Sequence, residues 1–318
     1  MSICLCGQSA EKVLDLIALK RMEHYGRAGK AAFDTCRAGK KELHAALELL
    51  PELENPIQLV VPSQELRVCD DIHNTRVWSG ALPEKSLVML SPGVYSASPE
   101  FNALLEMRGK TRIGRALALM GYCGIFAIDE SSEDGFISRP QLTSVERLSS
   151  YAREIRLEHS SHVLSDTTGL ALERARSPLE ARLALALTLP CGMGGFGIAR
   201  PELNTYIELG KEAQAILGRS WAEPDLLWPD AKVVLEANGR LRHDGKFGDD
   251  LTKASALEAD GYAVRFVTSK QLRSPRQMMV LGSWLAEKLG VTKAFPKREL
   301  LEGLLGDIMS FEYHHISL

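Results

Sequence analysis

Asp225 and Glu236 flank a turn in a way that would bring two carboxylates together. The turn, Pro229-Asp-Ala-Lys232, has a proline whose φ is preset and an aspartate able to bond its own backbone. Its flanks, Leu226-Leu-Trp228 and Val233-Val-Leu235, are apolar and β-prone. A hairpin centred between Asp230 and Ala231 sets Trp228 opposite Val233 and Asp225 opposite Glu236. Period-two alternation adds Glu223 and Asn238 to the same face. Opposed carboxylates weaken a sheet unless a cation or a raised pKa compensates, and a divalent metal is the usual cation. A solvated face, or a register slipped by one residue, would instead leave the pair without chemistry.

A third carboxylate has two readings. Ser177-Pro-Leu-Glu180 opens a helix to about Leu189, with Ser177 as cap, Pro178 at the first helical position and Glu180 in capping-box position. Yet Glu180 also shares a helix face with Leu183 and Leu187, the apolar side that must meet a sheet. Beyond the hairpin, His243 follows in a polar loop, and Asp249 to Leu257 reads as a helix with acids in its first turn and Lys253 along it.

The elements that would position these groups follow in order. A helix opening at Ser177, strands at 205–209 and in the hairpin, a helix ending near Gly261, the strand Tyr262–Val267 and an amphipathic helix over 275–289 make an α/β core. Upstream, helices are expected over 9–25 and 36–50, buried strands at 57–61 and 86–90, and a surface hairpin at His73–Trp78. Two short helices follow between Ser98 and about 121, and a loop at 128–140 marks a boundary. Gly26, Arg27, Gly29 and Lys30 read as a solvated connector, and Thr143-Ser-Val-Glu146 has capping-box spacing at the head of a further helix.

Length and charge bound the possibilities. At 318 residues the chain exceeds the single-domain size of roughly 100–200 residues, so two domains are expected. A net charge of −3 argues against a basic nucleic-acid coat but permits a local basic groove. No apolar run reaches the roughly 20 residues of a membrane span, and a cytoplasmic protein with no membrane partner is expected. Six scattered cysteines read as reduced thiols, with Cys4 and Cys6 at a mobile terminus.

Taken together, Ser177 to Glu180, Asp225 to Pro229, Glu236, Gly239, His243, Asp250, Lys253 and Gly261 to Phe266 resemble, in order, the PD-(D/E)XK nuclease superfamily. More narrowly they are similar to the very-short-patch-repair-like endonuclease domains of actinobacterial proteins of unknown function. The resemblance covers 177 to about 270. It implies an α-β-β-β-α-β restriction-endonuclease-like core and a Mg²⁺- or Mn²⁺-dependent DNA endonuclease. Asp225 and Glu236 would hold the metal, Glu180 would orient the attacking water or a second ion, and His243 or Lys253 would move protons or bind the scissile phosphate. Asn238 occupies a catalytic position where the superfamily has lysine and near relatives aspartate, and Lys253 stands where they carry arginine.

Upstream, Gly93-Val-Tyr95 resembles a signature of regions similar to abortive-infection antitoxins. That likeness implies an alternative, a catalytically inactive nuclease-fold DNA-binding regulator or antitoxin-like protein with a toxin or other protein as partner. The expected division is a mixed α/β domain over 1–140 that binds DNA or a partner, a helical bridge over 141–176, the nuclease-like domain over 177–290 and a tail over 291–318.

Overall fold

The computed structural model describes residues 2–51, 53–129, 131–155, 158–238, 246–291 and 295–313. It is a mixed α/β protein that divides into two compact units, Met1–Ala171 with Tyr313–Leu318, and Leu172–Glu312. The division falls at Ala171, so most of the stretch expected as a bridge belongs to the first unit. The reason is burial: Leu148 and Tyr151 are inside that unit, and the Tyr151 hydroxyl lies 2.9 Å from Ser86 Oγ.

In the first unit the elements run β1 (Ile3–Leu5), α1 (Gly7–Ala18), β2 (Arg27–Ala28), α2 (Lys30–Phe33), α3 (Lys40–Leu49), β3 (Ile57–Val61), β4 (His73–Val77), β5 (Leu87–Ser91) and β6 (Val94–Ala97). There follow α4 (Pro99–Glu106), α5 (Arg112–Tyr122), β7 (Phe126–Ile128), β8 (Phe136–Ser138), α6 (Val145–Glu154) and α7 (Glu158–Thr168). One six-stranded sheet has the order β2-β5-β6-β1-β3-β4.

Three expectations change here. Cys4 and Cys6 belong to a buried segment, with Cys4 in the central strand β1, because Ile3-Cys-Leu5 is apolar enough to lie inside a sheet. His73–Val77 is a strand running parallel to β3 at the sheet edge, not a surface hairpin, and buries Trp78 just beyond it. The α6 cap is Ser144, whose Oγ accepts from Arg147 N at 3.1 Å, while Thr143 Oγ1 donates to the buried Glu100 at 2.7 Å.

In the second unit α8 (Pro178–Thr188) is followed by β9 (Glu202–Leu203), β10 (Ile207–Glu208), α9 (Lys211–Leu217), β11 (Trp221–Ala222), β12 (Leu226–Trp228) and β13 (Val233–Asn238). Then come α10 (Lys246–Ala259), β14 (Ala263–Thr268), α11 (Ser269–Leu272), α12 (Pro275–Lys288) and α13 (Arg298–Ser310). The four-stranded sheet has the order β14-β13-β12-β9, antiparallel except for the parallel β13 and β14.

The strand read at 205–209 is shorter and belongs elsewhere: β10 pairs with β11 in a separate ribbon, and β9 takes the edge beside β12. The supposed tail contains α13, whose Leu301, Leu304, Leu305 and Ile308 are buried at helical spacing against α8 and α12. Leu227 and Val234, paired across the hairpin and buried, pack with Leu209, Ala213, Ala256 and Leu257 of the α9 and α10 layer. Burial of each large aliphatic side chain here stabilises the unit by about 1.5–3 kcal/mol. Alternation along the strands puts Asp225 and Glu236 on that same α10 side of the sheet.

Candidate functional site

The hairpin register is the one the turn chemistry predicts. Trp228 pairs with Val233, Leu227 with Val234 and Leu226 with Leu235, so the next step outward sets Asp225 against Glu236. Lys232 N donates to Pro229 O at 3.1 Å to close the turn, and Lys232 takes φ +50 as the chain leaves it. Asp225 Oδ2 accepts Ala237 N–H at 2.7 Å, which fixes the aspartate against the facing strand.

Lys253 comes from α10, one layer above. Its Nζ lies 2.6 Å from Glu236 Oε2 and 3.3 Å from Glu223 O. The other oxygen of Glu236, Oε1, is buried with no hydrogen-bond partner among the described residues. Glu236 is 4% exposed, whereas Asp225 and Asn238 are half-buried.

Glu180 sits beside them at the head of α8 and unites its two sequence readings. Ser177 Oγ accepts from Glu180 N at 3.2 Å and donates to Glu180 Oε1 at 2.8 Å. Glu180 Oε2 accepts from Arg176 N at 2.8 Å and from Asn204 Nδ2 at 2.6 Å. The residue is therefore a capping partner, yet only 4% exposed. Arg176 reaches across to Glu223 Oε1 at 2.7 Å.

The electrostatics follow from burial of several acids around one amine. Burial, then the charge of Asp225, pushes Glu180 up to about 8, against the bonds from Arg176, Asn204 and Ser177. Asp225 is raised by burial although Lys253 and Ala237 N–H pull it down. Glu236 is held well above the usual carboxylate range by burial and then by Asp225, with Lys253 opposing both. For Lys253 burial favours the neutral amine, but Glu236 and Asp225 outweigh it, and its pKa is raised. Both compensations expected of an opposed acid pair, a cation and raised pKa values, are present at once.

The donor set suits a hard cation. Asp225 and Glu236 offer oxygen only, one Glu236 oxygen is unused, and Mg²⁺ commonly takes one or two carboxylates and fills the remaining positions with water. Among the described residues no group of three or more His, Cys, Asp or Glu side chains is arranged around one point to hold an ion. Asn238 ends β13, paired with Thr268 of β14. His243 lies outside the described residues.

Asn204 is the residue of this cluster that sequence reasoning missed. It is fully buried at φ +49, donates to Glu180 and to Arg174 O, and its backbone N–H bonds Asp225 O at 3.2 Å, so it joins two carboxylate-bearing segments. Asparagine is the non-glycine residue best suited to that backbone region, which is the one signal the sequence offered. No family model, curated protein or solved structure matches the chain.

Proposed function

We propose that the second unit is a metal-dependent phosphodiesterase acting on DNA, built on a PD-(D/E)XK-like core. The observation that carries the reading is the grouping of Asp225, Glu236 and Lys253 at the end of one hairpin away from its turn, with Glu180 near enough for the Asp225 charge to act on it. The element order supports it as well: α8, then three antiparallel strands β9, β12 and β13 with the β10–β11 ribbon and α9 as an excursion, then α10 and the parallel β14.

Asp225 and Glu236 would hold Mg²⁺ or Mn²⁺, which when bound lowers the pKa of a water and offsets charge on the attacked phosphate. A metal held there would favour the ionised forms of Glu236 and Asp225, whose pKa values burial has raised. Glu180, held neutral up to about pH 8 by its surroundings, hydrogen-bonds the nucleophilic water and accepts its proton when ionised. Lys253 supplies the fixed positive charge that Asn238 cannot, released from Glu236 toward the scissile phosphate.

Asn238 favours a second reading, a nuclease-fold DNA-binding regulator without catalysis, since a neutral amide is a poor metal ligand and no base. Supercoiled plasmid incubated with the protein separates the two. Nicking that needs Mg²⁺ or Mn²⁺ and disappears in Asp225→Asn supports the enzyme; retardation of DNA without cleavage in either ion supports the regulator.

A further inference from the structure

A cavity of about 440 Å³ opens at the edge of the sheet in the first unit, far in the chain from the carboxylate site. It is lined by Gln64, Arg67, Arg108 and the β4 residues 74–77. Three arginines and no Asp or Glu are among its lining residues. Glu65, on the same short turn as Gln64, is not part of the wall.

The guanidiniums are held in different ways. Arg76 is anchored by Glu106 Oε1 at 2.8 Å and by Leu105 O at 2.9 Å. Glu106 also has Lys110 Nζ at 3.6 Å, so a single carboxylate is shared between two cations. Arg108 donates to Val77 O at 3.1 Å and lies over the Trp78 ring, 5.5 Å from its centroid. The Arg67 side chain is exposed and makes no ion pair or hydrogen bond among the described residues. Arg76 and Lys110 thus share Glu106, while Arg67 adds a positive charge with no ion pair among the described residues.

The strand edge contributes a donor. In β4 the N–H groups of His73 and Thr75 point away from β3, toward Asp70 and Val68 O. Alternation sends Val77 the same way, and its carbonyl confirms the direction by accepting from Arg108. The Val77 N–H therefore faces outward beside the arginines, at a sheet edge that the segment 68–70 covers only as far as Thr75.

We propose that this cavity binds a phosphate ester of nucleotide size. Arginine forks match phosphate oxygens in a bidentate way, and an outward backbone N–H adds a fourth donor direction. A bare phosphate fills only a fraction of the cavity, whose size lies in the range of small-ligand sites of roughly 300–1,000 Å³. Gln64 and Asn74 provide amides for hydrogen bonds to the sugar or base, and the polar wall excludes an apolar ligand. This site is independent of the phosphodiesterase proposal.

Calorimetric titration of the full chain tests it with four probes: a nucleoside 5′-monophosphate, the same nucleoside, inorganic phosphate and a single-stranded oligonucleotide. The monophosphate is expected to saturate below about 1 mM, with the nucleoside silent and inorganic phosphate weaker. Arg67→Glu, at an exposed position, is expected to weaken the monophosphate at least about tenfold with an unchanged melting temperature. Gln64→Ala is expected to weaken the monophosphate and leave inorganic phosphate unaffected. No saturation by the monophosphate, equal affinity for inorganic phosphate, indifference to Arg67→Glu, or binding confined to the oligonucleotide would each overturn the proposal.

Discussion

Lys253 Nζ sits 2.6 Å from Glu236 Oε2, and both side chains are largely out of water. The amine belongs to α10 and the carboxylate to β13, so one contact ties the helix layer to the sheet at the place where two acids oppose each other. The pair replaces part of the cation that the hairpin demands. It leaves Glu236 Oε1 and one face of Asp225 for another ligand.

Removing the amine exposes that demand. In Lys253→Met, Glu236 and Asp225 face each other without a counter-charge, and breaking such a buried pair costs about 3 kcal/mol. The raised pKa of Glu236 favours its protonated form as pH falls, so the loss is expected to be smaller at pH 5 than at pH 8. Urea unfolding at the two pH values checks this, and equal losses would show that Lys253 does not answer the carboxylates.

Glu180 gives a pH dependence of definite sign. Its folded pKa of about 8 lies above the model-peptide value of 4.5, so the folded state holds the proton more tightly. Stability is then full below pH 4.5 and falls as pH rises toward 8, by an amount on the order of a few kcal/mol. Glu180→Gln keeps acceptance from Arg176 and Asn204 on its carbonyl and donates to Ser177 Oγ from its amide. The variant is expected to fold and to lose the Glu180 share of the slope between pH 5 and 8, read by denaturant unfolding across that range.

Asn204 separates backbone from side-chain effects. Alanine removes the bonds to Glu180 and Arg174 O and places a β-carbon at φ +49, whereas glycine removes the same bonds without that strain. Asn204→Ala is expected to destabilise by about 3 kcal/mol and Asn204→Gly by about 1 kcal/mol less, measured by thermal unfolding. A glycine variant no better than alanine would mean that the side-chain bonds alone hold this corner.

The parts of the site that the sequence revealed are those set by local rules. Turn chemistry at Pro229–Lys232 fixed the register and so the opposition of Asp225 and Glu236, and Ser177 with Pro178 marked the head of α8. What escaped were pairings decided by distance along the chain. Nothing near Glu202 says that it, and not the more apolar Ile207 segment, takes the sheet edge, because that choice depends on α9 and the β10–β11 ribbon folding out between them. Likewise Lys253 matched a helix pattern, but its contact with Glu236 depends on how α10 crosses the sheet. His73–Val77 carried too many polar residues to read as a sheet strand; its polar side chains are met by Asp70, Val68 and Glu106 from neighbouring segments.

Metal binding tests the opposed pair directly. Asp225→Asn removes one charge while its amide oxygen can still accept Ala237 N–H, so the metal-free protein is expected to gain about 1 kcal/mol at pH 8 from relieved repulsion. It should lose the stabilisation that Mg²⁺ gives wild type, which at tenfold excess over the dissociation constant amounts to about 1.4 kcal/mol. Asn238→Asp is the converse, because it adds an acid at the end of β13 and should tighten Mg²⁺ or Mn²⁺ while lowering stability without metal. Thermal shifts of the three proteins with and without millimolar ion at pH 8 read both arms. If neither wild type nor Asn238→Asp responds to either ion, Asp225 and Glu236 are held together by Lys253 alone and the metal-dependent reading fails.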